Sequence, residues 1–257
     1  MFLQLSNISK QYVQNNVETT VLSSINVVIE EGEFVSILGP SGCGKSTLLS
    51  MVAGLLKPTS GEILLKGSSI KKPGKDRGMV FQQAALFPWM TVEENVLFAI
   101  RDMKNKEERY NRAQHYLKMV QLGSSLTQYP HELSGGMQQR VSIARALAMD
   151  PAVLLMDEPF GALDEQTRLR LQQELETIWL QTKKTVLFVT HSIHESLKLS
   201  DRILVMGTRP GTILADMKID TPRPRTRTNI QITKLEAEIS AILEKEIDKV
   251  VKEELRQ

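Results

Sequence analysis

The sequence predicts an α/β fold: short strands of a mostly parallel sheet alternating with helices, preceded by antiparallel strands. Three observations predict it. An apolar run at 33–38 is followed by the glycine-rich stretch Gly39-Pro-Ser-Gly-Cys-Gly-Lys-Ser-Thr47 and then by helical periodicity over 46–53. Short apolar runs recur at 152–156, 185–189 and 202–206, with a helix of about 165–181 between the first two. From 91 to about 150 the periodicity is helical throughout, which predicts a helical subdomain inserted in the sheet core.

Taken in order, residues 1–32 carry Phe2, Leu3, Leu5, then Val21, Leu22, Ile25, Val27, Val28 and Ile29, an alternation that predicts antiparallel strands. The cluster Leu56-Lys-Pro-Thr-Ser-Gly61 predicts a turn, and 62–66 and 78–81 predict strands. Thr91-Val-Glu-Glu94 matches a capping box and starts one helix; residues 104–119 form a second, and 137–149 a third. After Gly211 the composition shifts. Thr221-Pro-Arg-Pro-Arg-Thr-Arg-Thr228 predicts an extended linker. A capping-box match at Thr233 then predicts an amphipathic helix through Leu235, Ile239, Ile242, Ile247, Val250 and Leu255, packed on its own sheet. The expected domains are 1–215, with the helical insertion at about 91–150, and a tail at 216–257.

The 257 residues suffice for a large core. With 32 basic and 30 acidic side chains, the net charge of +2 argues against a dominant nucleic-acid surface. No apolar run approaches the roughly 20 residues of a membrane span, and residues 1–7 lack the pattern of a signal peptide. Cys43 is the single cysteine, so a reducing, cytoplasmic setting is expected.

The stretch from Gly39 to Ser46 fits the P-loop pattern G-x-x-x-x-G-K-[ST], with a strand before it and a helix behind. Its glycines let several N–H groups turn inward on a polyphosphate, and the helix N-terminus adds positive potential. A nucleoside triphosphate is the expected ligand. It would be lined by Gly39, Pro40, Ser41, Gly42, Cys43, Gly44, Lys45, Ser46 and Thr47, with Lys45 on the β- and γ-phosphates and Ser46 on Mg²⁺. The strand Ala152-Val-Leu-Leu-Met-Asp-Glu-Pro159 ends in two carboxylates. Asp157 suits holding Mg²⁺, and Glu158 is placed to orient the attacking water. Cys43 reads as a small spacer whose thiol alkylation would block nucleotide access.

Leu133-Ser-Gly-Gly-Met-Gln-Gln-Arg140 opens a second anion-binding helix terminus. Two such termini in one chain compete for one terminal phosphate. The motif therefore predicts a two-fold head-to-tail dimer in which Ser134 and Gly136 of each copy close on the other's ATP.

These three elements, in this order, resemble the ATPase subunits of ATP-binding-cassette (ABC) transporters over roughly residues 2–215. The resemblance implies a P-loop NTPase fold with a RecA-like core and ATP hydrolysis with Mg²⁺. It places Tyr12 on adenine, and Ser134, Gly135, Gly136 and Gln138 on the partner's ATP. It assigns Gln82 to Mg²⁺ and the attacking water, Asp164 to the dimer-contact loop, and His191 to the γ-phosphate and the support of Glu158. His115, His131 and His194 receive no role. Ser192 and His194 depart from the residues common in the family, without touching a catalytic role.

Ala84-Ala-Leu-Phe-Pro-Trp89 lies where importer ATPases receive a short helix of the membrane subunit, and its Phe87-Pro-Trp89 core looks like the nitrate/sulfonate/taurine importer group. Tyr129-Pro-His-Glu-Leu-Ser-Gly-Gly136 and Met206-Gly-Thr-Arg-Pro-Gly-Thr212 are similar to that group as well, whereas Gln83-Ala84 departs from it. The resemblance implies a peripheral subunit on the cytoplasmic face of the cell membrane, held by membrane-spanning permease subunits and served by an extracytoplasmic solute-binding protein. An aliphatic sulfonate is the leading solute; taurine, nitrate and a thiamine precursor are the alternatives. An exporter ATPase is the main rival. A soluble relative acting on nucleic acid or ribosomes usually carries zinc-binding cysteines, long coiled-coil insertions or two cassettes. A non-hydrolysing sensor is opposed by the set Lys45, Asp157, Glu158 and His191.

Overall fold

The computed structural model describes residues 1–14, 17–226 and 228–254. They divide into two compact units, Met1–Pro73 with Thr185–Gln257, and Gly74–Lys184.

In the first unit, β1 (Leu3–Gln14) and β2 (Val17–Ile29) pair antiparallel, and β4 (Ser60–Leu65) and β5 (Ser68–Ser69) extend them in the order β2-β1-β4-β5. Their apolar alternation turns Leu3, Leu5, Ile8, Leu22, Ile25 and Ile29 inward. A second layer runs β10 (Ile213–Lys218), β9 (Arg202–Met206), β3 (Phe34–Leu38), β8 (Thr185–Thr190). β3 lies parallel to β8 and β9, and every residue of β3 and β8 is buried, as parallel strands covered by helices require. The helices of this unit are α1 (Lys45–Val52), α6 (Ile193–Leu199) and α7 (Ile230–Glu254).

The tail departs from expectation in three ways. β10 was not foreseen; it adds an antiparallel edge to β9 from Ile213 to Lys218. α7 starts at Ile230, with Asn229 Oδ1 accepting from the N–H groups of Gln231 and Ile232, while Thr233 sits inside the helix and bonds back to the Asn229 carbonyl. Ile232 and Ile239 enter a core with Leu38, Leu197, Ile203 and Val205, whereas Ile247 is exposed and Leu255 lies outside the described residues. The stretch 221–228, whose Arg227 also lies outside them, is an anchored strap rather than a solvated linker. Arg225 is buried and donates to the carbonyls of Thr221, Leu197, Ser200 and Ile219, and Arg223 to Asp201 and the Leu199 carbonyl.

In the second unit, β6 (Arg77–Val80) and β7 (Val153–Asp157) pair in parallel and join α2 (Val92–Ala99), α3 (Lys106–Met119), α4 (Gly135–Ala148) and α5 (Glu165–Thr182). The unit is wider than the helical block at 91–150 because α4 packs on β6 and α5 as well as on α2 and α3. Thr91 starts α2 with the expected capping box. Buried Asn95 fixes the segment ahead of it, exchanging hydrogen bonds with Phe87 and donating to the Met90 and Thr91 carbonyls. No helix among the described residues is long and apolar enough to cross a membrane.

Candidate functional site

The first unit builds a glycine-rich loop at the carboxyl end of a parallel sheet. Leu38 and Thr190 are register partners on β3 and β8, so the loop that begins at Gly39 and the residue His191 leave the sheet side by side. Gly42 and Gly44 have φ of +80 and +95, a left-handed backbone that curls the loop just ahead of α1. Gly44 has a second reason to lack a side chain: a Cβ there would stand 2.6 Å from Leu22 Cδ2. Lys45 is buried, and its Nζ donates to the carbonyls of Gly39 at 2.8 Å and Pro40 at 2.9 Å. Ser41, Gly42 and Ser46 are exposed on the loop surface, and Pro40 and Thr47 are half-buried. Tyr12 lies on β1, 44% exposed, with Lys10 Nζ 4.9 Å from its ring centroid.

Cys43 corrects an expectation. It is 1% exposed, and burial pushes its thiol above the ordinary range even though the Lys45 cation pulls it down. A thiol that is both enclosed and protonated is a poor target for alkylation.

The second unit brings together Gln82, Asp157, Glu158, the signature and Asp164. Val80 and Met156 are register partners, so Gln82 and Glu158 each follow two residues beyond the same rung. Glu158 has φ of +43, an uncommon conformation for a side chain of its size, inside a turn closed by Gly161 N–H on the Glu158 carbonyl at 3.0 Å. A Cβ on Gly161 would meet Gln82 Nε2 at 2.9 Å, so the glycine leaves room for that amide. Asp157 and Glu158 are half-buried.

Ser134 is the N-cap of α4, its hydroxyl accepting from Met137 N–H at 3.3 Å, and it stands exposed with Gly135 beside it. Gly136 is buried against α5, where a Cβ would stand 2.6 Å from Thr167 Cγ2. Gln138 donates to the carbonyls of Pro130 and Leu133 and so holds the approach to the signature. Asp164 caps α5, and the Thr167 N–H on its carboxylate holds it below the usual carboxylate range.

Sequence reasoning missed the residues that hold the Gln82 loop. Gln139 Nε2 donates to the Phe81 carbonyl at 3.1 Å, and Arg145 donates to Ala84 and Ala85 carbonyls at 3.0 and 2.8 Å. Helical periodicity gives both as inward positions of α4; which carbonyls they meet depends on how α4 lies over β6. Near the same loop, Phe87 stacks edge-on against Phe98 at 4.7 Å and beside Trp89 at 5.6 Å, while Trp89 is 69% exposed. Phe87 therefore packs on its own helical block and Trp89 faces outward. A groove of about 420 Å³ lies there, lined in part by Phe81, Ala85, Phe87, Phe98 and Arg145.

Ser46 and Asp157 offer hard oxygen donors, and no cluster of three or more His, Cys, Asp or Glu side chains able to hold a metal occurs among the described residues. Each oxygen by itself is the kind of ligand Mg²⁺ takes, since this ion uses one or two protein oxygens beside the substrate's own.

The model of the ABC transporter family matches residues 22–161. An uncharacterized ABC transporter ATP-binding protein of Methanocaldococcus jannaschii is 50% identical over 97% of this chain and 94% of its own length. The aliphatic sulfonates import ATP-binding protein of Bacillus thuringiensis is 45% identical over 93% of this chain and 94% of its own. The nitrate import ATP-binding protein of a Synechocystis strain is 46% identical over 89% and 88%. Among solved structures, a dimeric post-hydrolysis state of an ATP-binding cassette bound to ADP and Pi superposes with a TM-score of 0.75 at 36% identity, over 86% of this chain and all of that one.

Proposed function

This chain belongs to the ABC transporter family of ATP-hydrolysing subunits, and on that premise we propose that it drives an importer of a small oxyanion, with an aliphatic sulfonate as the leading solute. Relatives named for sulfonate and for nitrate import stand at 45% and 46% identity, so the family resemblance favours the class of solute more than one member of it.

In this reading the loop N–H groups and Lys45 receive the phosphates, and Tyr12 receives the adenine. The family resemblance assigns Mg²⁺ to Ser46 and to Asp157, and the ion would supply charge neutralisation to the bound nucleotide. Glu158 orients a water and takes up its proton as the water oxygen attacks the γ-phosphorus and the bond to ADP breaks. Gln82 is assigned to that water and His191 to the γ-phosphate by the family resemblance. The two-fold partner's Ser134, Gly135 and Gly136 close the site from across the dimer, with Asp164 at the contact. The work done on the pore is the difference in contacts between the closed and open dimers.

The groove beside Phe87 and Trp89 supports a membrane partner. An indole left 69% exposed beside an apolar recess is the kind of anchor a docking helix covers. The chain is then a peripheral subunit at the cytoplasmic membrane face, with a separate extracytoplasmic protein choosing the solute.

The single observation that carries the reading is Ser134 standing exposed at the N-terminus of α4, capped yet open to a second molecule. Purification of the tagged chain from its native membranes in a mild detergent tests the transport claim. A multi-span membrane protein should accompany it. Recovery only with nucleic acid or ribosomes would leave the ATPase chemistry and overturn transport.

A further inference from the structure

The phosphate-binding loop is walled on one side by backbone from far along the chain. A Cβ on Gly39 would stand 2.7 Å from the Met206 carbonyl oxygen, and one on Gly211 only 2.2 Å from the Cys43 carbonyl oxygen. Met206, the last residue of β9, thus lies against the start of the loop, and Gly211 of the segment 207–212 that follows lies against Cys43. The segment is tied to β2 by Gly211 N–H on the Val21 carbonyl at 2.8 Å and Ser23 N–H on the Gly211 carbonyl at 3.0 Å. It also folds on itself, Gly207 N–H meeting the Thr212 carbonyl at 3.0 Å.

Another tether comes from α7. Glu246 Oε1 accepts the Thr208 N–H at 2.6 Å and the Thr208 hydroxyl at 3.1 Å, with Lys249 Nζ 4.0 Å away. Both residues are buried, at 7% and 8% exposure. The apolar face that docks α7 runs from Ile232 and Ile239 to the partly buried Ile242 and Leu243, and Glu246 follows one turn later with a polar contact of its own. Burying a carboxyl group is unfavourable unless its oxygens accept hydrogen bonds, and Oε1 accepts two from Thr208, in the segment behind the loop.

We propose that Glu246 is a positioning residue for nucleotide binding: by fixing Thr208 it holds the segment 207–212, through Gly211, against Cys43 and keeps the loop's N–H groups converged. The inference rests on loop 39–47 being the nucleotide site. Without Glu246 Oε1, the Thr208 N–H and hydroxyl must turn toward water, the wall moves with them, and the loop is ordered only at the expense of binding free energy.

The test is MgATP affinity of the full chain by titration calorimetry, beside its thermal midpoint. Glu246→Ala should weaken MgATP about five- to tenfold, since hydrogen bonds to an ionisable group are lost. Glu246→Gln, whose amide oxygen still accepts, should restore affinity to within about twofold of the native chain. Thr208→Val, which loses the hydroxyl contact alone, should weaken binding about two- to threefold. Leu235→Ala is the control: it loosens the packing of α7 some three turns away, and should lower the thermal midpoint with affinity unchanged. Native affinity in Glu246→Ala, or equal weakening in Leu235→Ala, would overturn the proposal. Should Glu246→Ala not fold, Thr208→Val decides, with unchanged affinity counting against it. Absence of MgATP binding by the native chain would instead overturn the nucleotide reading itself.

Discussion

Lys45 Nζ donates a 2.8 Å hydrogen bond to the carbonyl oxygen of Gly39, the residue that opens its own loop. A second bond, to the Pro40 carbonyl at 2.9 Å, leaves the ammonium buried within the curl it serves. The cation is thus held in place by carbonyl dipoles that a phosphate can replace, which limits the side-chain entropy lost on binding.

Lys45→Met keeps most of the stem volume and removes the charge. ATP affinity measured by calorimetry should fall about ten- to a hundredfold, the worth of a charge-assisted hydrogen bond. Urea unfolding should change little, because the two carbonyls lie beside the exposed loop surface. Native affinity in this variant would remove Lys45 from the site.

Gly136 has no room for a methyl group, since a Cβ there would stand 2.6 Å from Thr167 Cγ2. Gly136→Ala should push the first turn of α4 off α5 and displace Ser134, with a strain of about 1–3 kcal/mol. ATP turnover should drop while ATP binding by the isolated chain persists. Adding Thr167→Ser deletes the opposing methyl and should recover much of the turnover. Failure of that rescue would place the defect elsewhere.

Cys43 should resist alkylation. Burial raises its thiol pKa, so the thiolate is scarce at neutral pH and gains ground only as pH climbs beyond the ordinary thiol range. Because the folded pKa lies above the unfolded one, the stability linked to Cys43 is full at neutral pH and is lost as pH rises through the folded value. N-ethylmaleimide labelling followed by mass spectrometry at neutral pH should be far slower than for the urea-unfolded chain. Equal rates would show that the loop opens readily.

Arg225→Ala should destabilise the first unit. The side chain is 9% exposed and its guanidinium serves the carbonyls of Leu197 and Ser200, residues that precede it by 28 and 25 positions. Leaving those acceptors buried without a donor costs about 3 kcal/mol. Urea unfolding should show it, with ATP affinity per folded molecule preserved.

Arg225 also marks where the sequence stopped being legible. Prolines and arginines in series describe a solvated linker by composition, because what buries an arginine is a set of carbonyls far away in the chain. The Glu246 contact with Thr208 is hidden for the same reason, and β10 because an edge strand needs little apolar signal. By contrast the glycines at 42 and 44, the lysine at 45, the Ser134 cap and the Thr91 capping box act through neighbours within a few residues. Their local conformations follow from neighbours close in sequence, although the α4 helix starts at Gly135 rather than at Met137. The two carboxylates at 157 and 158 were readable as a strand end; the left-handed backbone of Glu158 was not.

The central claim is that each ATP is closed by the signature of a second copy. Light scattering with size-exclusion chromatography in MgATP tests it on Glu158→Gln, whose slowed hydrolysis should trap the closed state. A dimer is expected for Glu158→Gln, and a monomer that still binds ATP once Ser134→Arg is added. A Glu158→Gln chain that stays monomeric with ATP bound, or a dimer that survives Ser134→Arg, would contradict it.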